Sequence, residues 1–137
     1  MNPPFVVLDT NIVLDLLIFK DPRCAALHEA LGSQVITWIA TQVMRDELER
    51  VLAYTHLQPR MAFYQISAEQ VLAQFDAQVT VQTTAARCQF VCTDADDQKF
   101  IDLAAQHHAV LVSKDKAVLR LRKRLATLGA VVLSQWQ

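Results

Sequence analysis

Residues 5–11 read FVVLDTN, and residues 109–115 read AVLVSKD. Each segment starts with four apolar residues and reaches an aspartate one to three residues later. Short apolar runs of this kind are typical of strands that are buried on both faces of a parallel sheet. Residues 35–40 (VITWIA) and 130–133 (AVVL) have the same character, so we predict strands in all four places. Residues 80–91 leave room for a further short strand, although their pattern is ambiguous.

Segments of helical character separate these strands. They cover roughly residues 12–19, 22–31, 42–54, 67–78, 94–107 and 116–128. Strands that alternate with helices predict an α/β protein, in which a three-layer α/β/α sandwich surrounds a central parallel sheet. Right-handed crossovers place the carboxyl ends of the strands at one edge, where such sheets bind ligands. The residues that follow the strands are therefore the first candidates for a functional site.

Length and composition predict one domain over residues 1–137. Apolar residues make up 53% of the chain and charged residues 20%, which suits a packed core and not wholesale disorder. The two glycines exclude a Gly-rich nucleotide-binding loop. The longest apolar runs have four residues, far short of a membrane span, and the first residues lack the features of a signal peptide. Together with three cysteines at no metal-binding spacing, these features predict a cytoplasmic protein with reduced thiols and no membrane association.

Two aspartates follow predicted strands directly or nearly so. Asp9 comes after the strand that begins at Phe5, and Asp115 comes after the strand that begins at Ala109. An acid at the end of a buried strand lies at the edge where ligands bind. A simpler role is also open to both, because an aspartate in this position caps the helix that follows.

Glu47 lies on the predicted helix over residues 42–54. Met44, Leu48 and Val51 share one face of that helix, and the glutamate falls within roughly 80° of the centre of the face. A carboxylate on the core-facing side needs a partner, because burial of an unpaired charge is costly. An arginine from elsewhere in the chain would serve, and a metal ion would serve equally well.

Residues 94–100 (DADDQKF) open another predicted helix with three aspartates. Acids in the first turn complement the helix dipole, so capping is one role for all of them. Asp97 nevertheless shares its face with Phe100, while Asp102 points away from that face. Asp94 can therefore cap the helix while Asp97 turns toward the sheet edge.

Four acids are predicted to meet at one edge of the sheet: Asp9, Glu47, Asp97 and Asp115. Such a cluster repels itself unless cations are present. One or two hard ions such as Mg²⁺ or Mn²⁺ suit it, and no His/Cys set has the spacing of a zinc site. Metal ions held among carboxylates are the machinery for phosphodiester hydrolysis.

Four blocks of the sequence resemble the PIN domain family in order and spacing. They are VLDTN (residues 7–11), RDEL (45–48), DADDQKF (94–100) and VLVSKD (110–115). The resemblance spans nearly the whole chain, and the last two blocks are most similar to toxin components of bacterial toxin–antitoxin pairs. It implies a metal-dependent ribonuclease that acts on single-stranded RNA, often as a homodimer and often inhibited by a cognate antitoxin.

The resemblance also implies roles for individual residues. The acidic quartet that holds the metal and catalyses cleavage would consist of Asp9, Glu47, Asp97 and Asp115. Asn11 and Ser113 would be accessory polar groups, and Asp94 would be a cap or an outer residue of the site. One departure is that residues 105–108 (AQHH) stand where this branch of the family often carries a glycine pair.

A cationic strip follows the last of these acids. It lies on the polar side of the predicted helix over residues 116–128 and consists of Lys116, Arg120, Arg122, Lys123 and Arg124. Such a face is usually only solvated, but it could also guide an RNA backbone through contacts to phosphate. The net charge of −1 argues against a dedicated basic nucleic-acid-binding protein. The aromatic residues that could stack on bases are expected in the core: Trp38, Phe63, Tyr64 and Phe100.

Two functions other than an Mg²⁺- or Mn²⁺-dependent endoribonuclease stay open. A phosphatase of the haloacid-dehalogenase kind also has an aspartate after its first strand, but it needs a second acid where this chain has Asn11. It also needs a lysine near a later strand end, which Lys114 could supply. A PIN-like domain with a decayed site could instead be an RNA- or protein-binding scaffold, although such a site is expected to have lost at least one of the four acids.

Overall fold

The computed structural model of the protein describes residues 3–137. At its centre is an entirely parallel five-stranded sheet in the order β3-β2-β1-β4-β5. The strands are β1 (Phe5–Leu8), β2 (Thr37–Ala40), β3 (Val79–Val81), β4 (Val110–Val112) and β5 (Val131–Leu133). Helices lie on both sides of the sheet, which confirms the predicted α/β/α sandwich.

The helices fill the connections between the strands. In the described part of the chain, the α-helices are α1 (Thr10–Leu14), α2 (Ala25–Gly32), α3 (Gln42–Leu52), α4 (Gln58–Phe63), α5 (Ala68–Gln78), α6 (Gln98–His107), α7 (Lys116–Leu119) and α8 (Arg122–Ala126). Short 3₁₀ turns cover Pro22–Cys24, Thr55–Leu57 and Ala95–Asp97, and a π-helical turn covers Asp15–Phe19. None of the helices within residues 3–137 is long and apolar enough to cross a bilayer.

The strand β1 occupies the middle of the sheet. Val6 pairs with Trp38 of β2 on one side and with Val110 of β4 on the other, and it is completely buried. A strand covered on both faces has no side that faces water, which explains its continuous apolar sequence. The pairing continues past the strand, because Asp9 N donates to Val112 O at 3.2 Å. The residues that follow β1 and β4 therefore lie next to each other.

Two predicted helices differ from the observed ones in more than their ends. The helix predicted over residues 12–19 begins at Thr10, and its second half, Asp15–Phe19, is π-helical. The helix predicted over residues 116–128 is interrupted between α7 and α8, where Leu121 turns into the core. The other predicted helices and strands are present, with ends that differ by a few residues.

The sequence analysis missed the 3₁₀ turn Thr55–Leu57 and the helix α4 that follows it. These elements are short, and their buried apolar side chains are those of Leu57 and Met61. Two apolar positions are too few to show a helical period. The signal that was available is Pro59, which lies in the first turn of α4, where proline is favoured.

An irregular segment, residues 82–93, is attached to α6 by side chains of that helix. Cys88 N donates to Asp102 Oδ1 at 2.8 Å, and Cys92 N donates to Gln98 Oε1 at 2.6 Å. Gln98 Nε2 also donates to Asp102 Oδ1 at 2.9 Å. The side chains of Gln98 and Asp102 are buried, so their hydrogen bonds with the segment replace those that they would make with water.

Candidate functional site

A cleft of about 460 Å³ lies beside the carboxyl ends of β1 and β4. Its polar lining comes from the residues after these two strands, from α3 and from the turn before α6. The polar residues on this side of the cleft are Asp9, Thr10, Asn11, Asp15, Glu47, Asp94, Asp97, Lys114 and Asp115. The four acids of the predicted quartet therefore all line one cleft.

Asp9 is positioned by the start of α1 and by β4. Its Oδ1 accepts a hydrogen bond from Ile12 N at 3.0 Å as the N-cap of α1, and its Oδ2 accepts one from the Ser113 hydroxyl. The residue is only 3% exposed. Burial raises the pKa of Asp9, the two hydrogen bonds oppose the increase, and the negative charge of Asp115 adds to it. The helix cap and the cleft acid, which the sequence left as alternatives, are therefore one residue.

Ser113 joins the ends of β1 and β4. It is completely buried, and its hydroxyl donates to Asp9 and accepts from Asp115 N at 3.1 Å. Asp115 in turn caps α7, because its Oδ1 accepts from Ala117 N at 2.8 Å. One buried hydroxyl thereby sets the spacing between two acids that follow different strands.

Three carboxylates lie close together in the cleft. One oxygen each of Asp94, Asp97 and Asp115 lies within 4.8 Å of the other two. Asp94 also caps the turn before α6, since its Oδ1 accepts from Asp96 N at 3.0 Å. Burial raises the pKa of Asp97 to about 7, and the nearby carboxyl groups of Asp115, Asp94 and Asp9 contribute to the increase. Its negative charge is therefore unfavourable in the absence of a cation.

The carboxylates fit a divalent cation. Asp97 Oδ2 is buried and has no hydrogen-bond partner among residues 3–137. Buried polar atoms nearly always have a partner, so an unpartnered carboxylate oxygen beside two more carboxylates is the arrangement that a cation would satisfy. Oxygen ligands of this kind suit Mg²⁺ or Mn²⁺. Asp94, which the sequence analysis gave only an accessory part, is one of the three residues in this group.

Glu47 reaches the same cleft from α3 but has different partners. Its Oε1 accepts from the Lys99 ammonium group at 2.9 Å, and its Oε2 accepts from the Thr10 hydroxyl. The side chains of Glu47 and Lys99 are 18% and 23% exposed, so the ion pair is largely shielded from water. The partner of this half-buried acid is therefore a lysine of α6. Neither an arginine nor a metal ion, the two partners considered from the sequence, is needed to explain its position.

The sequence analysis missed Thr10 and Lys99 as parts of the site. Both lie inside motifs that were quoted for their acids, since Thr10 follows Asp9 and Lys99 belongs to DADDQKF. What the sequence does not show is that α6 lies near α3, so that a lysine of one helix reaches a glutamate of the other.

The edge of the cleft carries an ion pair and an amide. Lys114 Nζ lies 2.5 Å from Asp15 Oδ2, which joins the residues after β4 to the π-helical turn. Asn11 is exposed, lines the cleft, and makes no side-chain hydrogen bond with any residue that the structure describes. Its amide is therefore available to a ligand in the cleft.

The cationic strip lies outside the cleft. Its members are exposed on α7 and α8 and in the turn between them: Lys116, Arg120, Arg122, Lys123 and Arg124. None of these five side chains lines the cleft, although α7 begins directly after Asp115.

A further part of the cleft is aromatic and cationic. Its lining there includes Phe19, Tyr54, His56 and Arg60. The prediction that Phe63 and Tyr64 lie in the core is wrong: they are 79% and 41% exposed, because α4 turns Met61 inward and leaves them outside. Trp38 and Phe100 are buried, as predicted.

Comparison with known proteins supplies a family match and a relative in sequence. A family model for the PIN domain matches residues 5–117 of the chain. An uncharacterized protein of the archaeon Methanocaldococcus jannaschii is 23% identical over 120 residues, which cover 85% of this chain and 74% of that protein.

A solved structure has a similar fold. It is a chain in the crystal structure of VapBC2 from Rickettsia felis bound to a DNA fragment from their promoter. The similarity has a TM-score of 0.63 with 15% sequence identity, and it covers 94% of this chain and 97% of the other. At that level of identity the match shows a shared fold.

Proposed function

The chain belongs to the PIN domain family, and from this premise we propose that it is a metal-dependent endoribonuclease that hydrolyses phosphodiester bonds in single-stranded RNA. The observation that carries the proposal is the group formed by Asp94, Asp97 and Asp115, with the unpartnered Oδ2 of Asp97 inside it. Carboxylates this close together repel one another unless a cation is present, which supports a metal site here.

The residues divide into those that would hold a cation and those that fix them. Mg²⁺ or Mn²⁺, as one or two ions, would be held by Asp94, Asp97 and Asp115, with Asp9 beside them. When bound, such an ion supplies Lewis-acid stabilisation of the phosphate and lowers the pKa of water.

The remaining polar residues keep the site in order. Ser113 holds Asp9 in place from β4, and Lys99 and Thr10 hold both oxygens of Glu47. A carboxylate that is fixed in this way can accept a hydrogen bond from an attacking water and orient it toward a phosphate. We assign that role to Glu47, because its oxygens are engaged by side chains outside the three-carboxylate group.

We further propose that the chain is the toxin of a toxin–antitoxin pair, acts in the cytoplasm and binds a cognate antitoxin protein. The resemblance of its motifs to such toxins and the shared fold with a VapBC2 chain support this proposal. A homodimer is a prediction from the resemblance alone. Expression of the chain by itself should arrest growth, and co-expression with the antitoxin should relieve the arrest; unimpaired growth would contradict the toxin role.

The two other functions are less well supported by the geometry. A phosphatase would need Asp9 to attack a substrate directly, but the residue is only 3% exposed. Lys114 is paired with Asp15 at the edge of the cleft. A scaffold with a decayed site would not be expected to retain the four acids that line this cleft.

Metal removal tests the proposal. We expect the protein to cleave a labelled single-stranded RNA, to stop in excess EDTA, and to resume when Mn²⁺ or Mg²⁺ is restored. Cleavage that persists in EDTA would exclude the metal mechanism. Release of phosphate from a small phosphomonoester without RNA cleavage would favour the phosphatase, and RNA binding without cleavage in either metal would favour the scaffold.

A further inference from the structure

Aromatic and cationic side chains line a further part of the cleft and continue outside it. We call this surface the aromatic wall and define it by Phe19, Tyr54, His56, Arg60, Phe63 and Tyr64. The first four line the cleft itself, and the last two continue the surface along α4 beyond it. These residues come from the π-helical turn, from the end of α3, and from the elements that the sequence analysis missed.

The rings of the wall form two groups, one of Tyr54 with His56 and one of Phe19, Phe63 and Tyr64. The ring centroids of Tyr54 and His56 are 5.8 Å apart, and those of Phe19 and Tyr64 are 5.9 Å apart. Phe63 and Tyr64 lie edge to face at 5.1 Å. The guanidinium carbon of Arg60 lies 3.6 Å above the centre of the Phe19 ring, which is a cation–π contact. The wall is therefore an ordered surface in which each ring has a neighbour.

Three of these rings face water to an unusual degree. Phe63 is 79% exposed, Tyr54 is 49% exposed and Tyr64 is 41% exposed. Phe63 and Tyr64 are in contact with each other, and Tyr54 lines the cleft. Exposed aromatic rings grouped in this way are typical of a binding surface, whereas single scattered apolar residues need no explanation.

The charges beside the rings favour a polynucleotide as the ligand. Arg60 is exposed and forms no ion pair with an acid in the described part of the chain, so its guanidinium group is available to a phosphate. Tyr54, His56 and Arg60 share the cleft with Asp97. A strand whose scissile phosphate is near the carboxylates therefore has neighbouring nucleotides at the wall.

We propose that the aromatic wall binds the single-stranded segment of the RNA next to the cleavage site, by stacking bases on Tyr54, Phe63 and Tyr64 while Arg60 contacts a phosphate. This inference rests on the proposed ribonuclease function. Stacking on aromatic rings tolerates any base and requires bases that are not already paired. The wall thus selects single strands over duplexes without reading a sequence.

The test is a binding measurement on the full chain in EDTA, which keeps the oligonucleotide intact. Fluorescence anisotropy gives the Kd for a labelled single-stranded RNA and for an abasic strand of the same length. The ring-deleting variant is Tyr54→Ala/Phe63→Ala, and the ring-keeping variant is Tyr54→Phe/Phe63→Tyr. A matched control removes two exposed apolar side chains outside the cleft, Val43→Ala/Val91→Ala. All these side chains are exposed, and thermal melting checks that each variant folds.

Stacking predicts a specific pattern of affinities. Deletion of the rings should weaken RNA binding by about 10-fold or more, while the ring-keeping and control variants stay within about twofold of the original chain. The abasic strand should bind the original and the ring-deleted chain equally, since it has no bases to lose contact with.

Two results would overturn the inference. Equal RNA affinity before and after ring deletion would show that the wall serves something other than RNA, such as a protein partner. An equal loss for the abasic strand would show that the rings do not stack on bases. If the original chain cleaves RNA and either result is found, only this inference fails; if it neither binds nor cleaves RNA, the proposed function fails with it.

Discussion

Asp9 has one carboxylate and two structural attachments. One oxygen caps α1, the other accepts the Ser113 hydroxyl, and the whole residue is buried next to other acids. Burial and the charge of Asp115 both raise its pKa, which means that its negative charge is unfavourable where it stands. A residue whose charge is unfavourable for folding and whose position is fixed so closely is a good candidate for a catalytic role.

Replacement of this residue separates charge from structure. Asn caps a helix about as well as Asp, so Asp9→Asn should keep the hydrogen bond from Ile12 N. We expect RNA cleavage to fall at least about 100-fold, because even residues outside a ligand set cost roughly 10- to 100-fold. The melting temperature in EDTA near pH 8 should be unchanged or higher, since one negative charge leaves the cleft.

The control for this variant is Asp46→Asn on α3. Asp46 is exposed and accepts a hydrogen bond from Gln42 Nε2 at 2.9 Å, outside the cleft. It should leave both cleavage and melting temperature unchanged. Full cleavage by Asp9→Asn would refute its catalytic assignment, and a large drop in its melting temperature would show that its role is to hold the fold.

The helix α6 connects the cleft to the irregular segment, residues 82–93. Lys99 of this helix pairs with Glu47 in the cleft, while Gln98 and Asp102 bind residues 82–93. Lys99 therefore points to the cleft, while its neighbour Gln98 points to the irregular segment. This arrangement makes the ordering of an irregular segment depend on two buried polar side chains.

We predict that Asp102→Ala loosens this segment. Cys88 N and one hydrogen of Gln98 Nε2 would be left unpaired in a buried place, so the free energy of unfolding should fall by about 1–3 kcal/mol. Urea unfolding measures the loss, and trypsin should cut faster at the exposed Arg87 within the segment. Asp102→Asn keeps an acceptor oxygen and should lose less. Equal losses in the two variants would show that the hydrogen bonds do not hold the segment.

At the scale of the whole molecule, the acids of the cleft make stability depend on pH. The pKa of Asp97 is raised to about 7 and that of Asp9 is also raised, so the folded protein binds more protons than the unfolded chain above about pH 4. Stability from these groups is fully present below that pH and is lost as the pH rises toward 7. Asp21 has its pKa lowered to about 2, so its contribution changes only at lower pH.

A divalent cation should reverse this loss. In EDTA we expect the melting temperature to fall as the pH is raised from about 5 to about 8. Addition of Mn²⁺ or Mg²⁺ should raise it more near pH 8 than near pH 5, because the ion binds ionised carboxylates and competes with protons. Ca²⁺ and a monovalent salt at the same ionic strength separate site binding from general screening. An equal shift at both pH values would contradict a site built from these carboxylates.

The sequence pattern predicted the parallel sheet and the acids that follow its strands. The short apolar runs indicated strands covered on both sides, and their alternation with helices predicted a parallel sheet whose carboxyl ends lie together. Asp9 and Asp115 were therefore predicted at one edge of the sheet, and the strand order places them after neighbouring strands. Apolar patterns and helix caps involve residues that are a few positions apart, so they can be recognised in a single sequence.

Which side chains contact one another across the site depends on the tertiary structure. The Lys99 partner of Glu47, the bridge that Ser113 makes, and the exposed rings of α4 depend on the packing of elements that are distant along the chain. Phe63 has an apolar side chain of the kind usually found in a core, and only the position of α4 shows that it faces water. Pairings between distant elements follow from the summed packing of the whole chain, so no local pattern reports them.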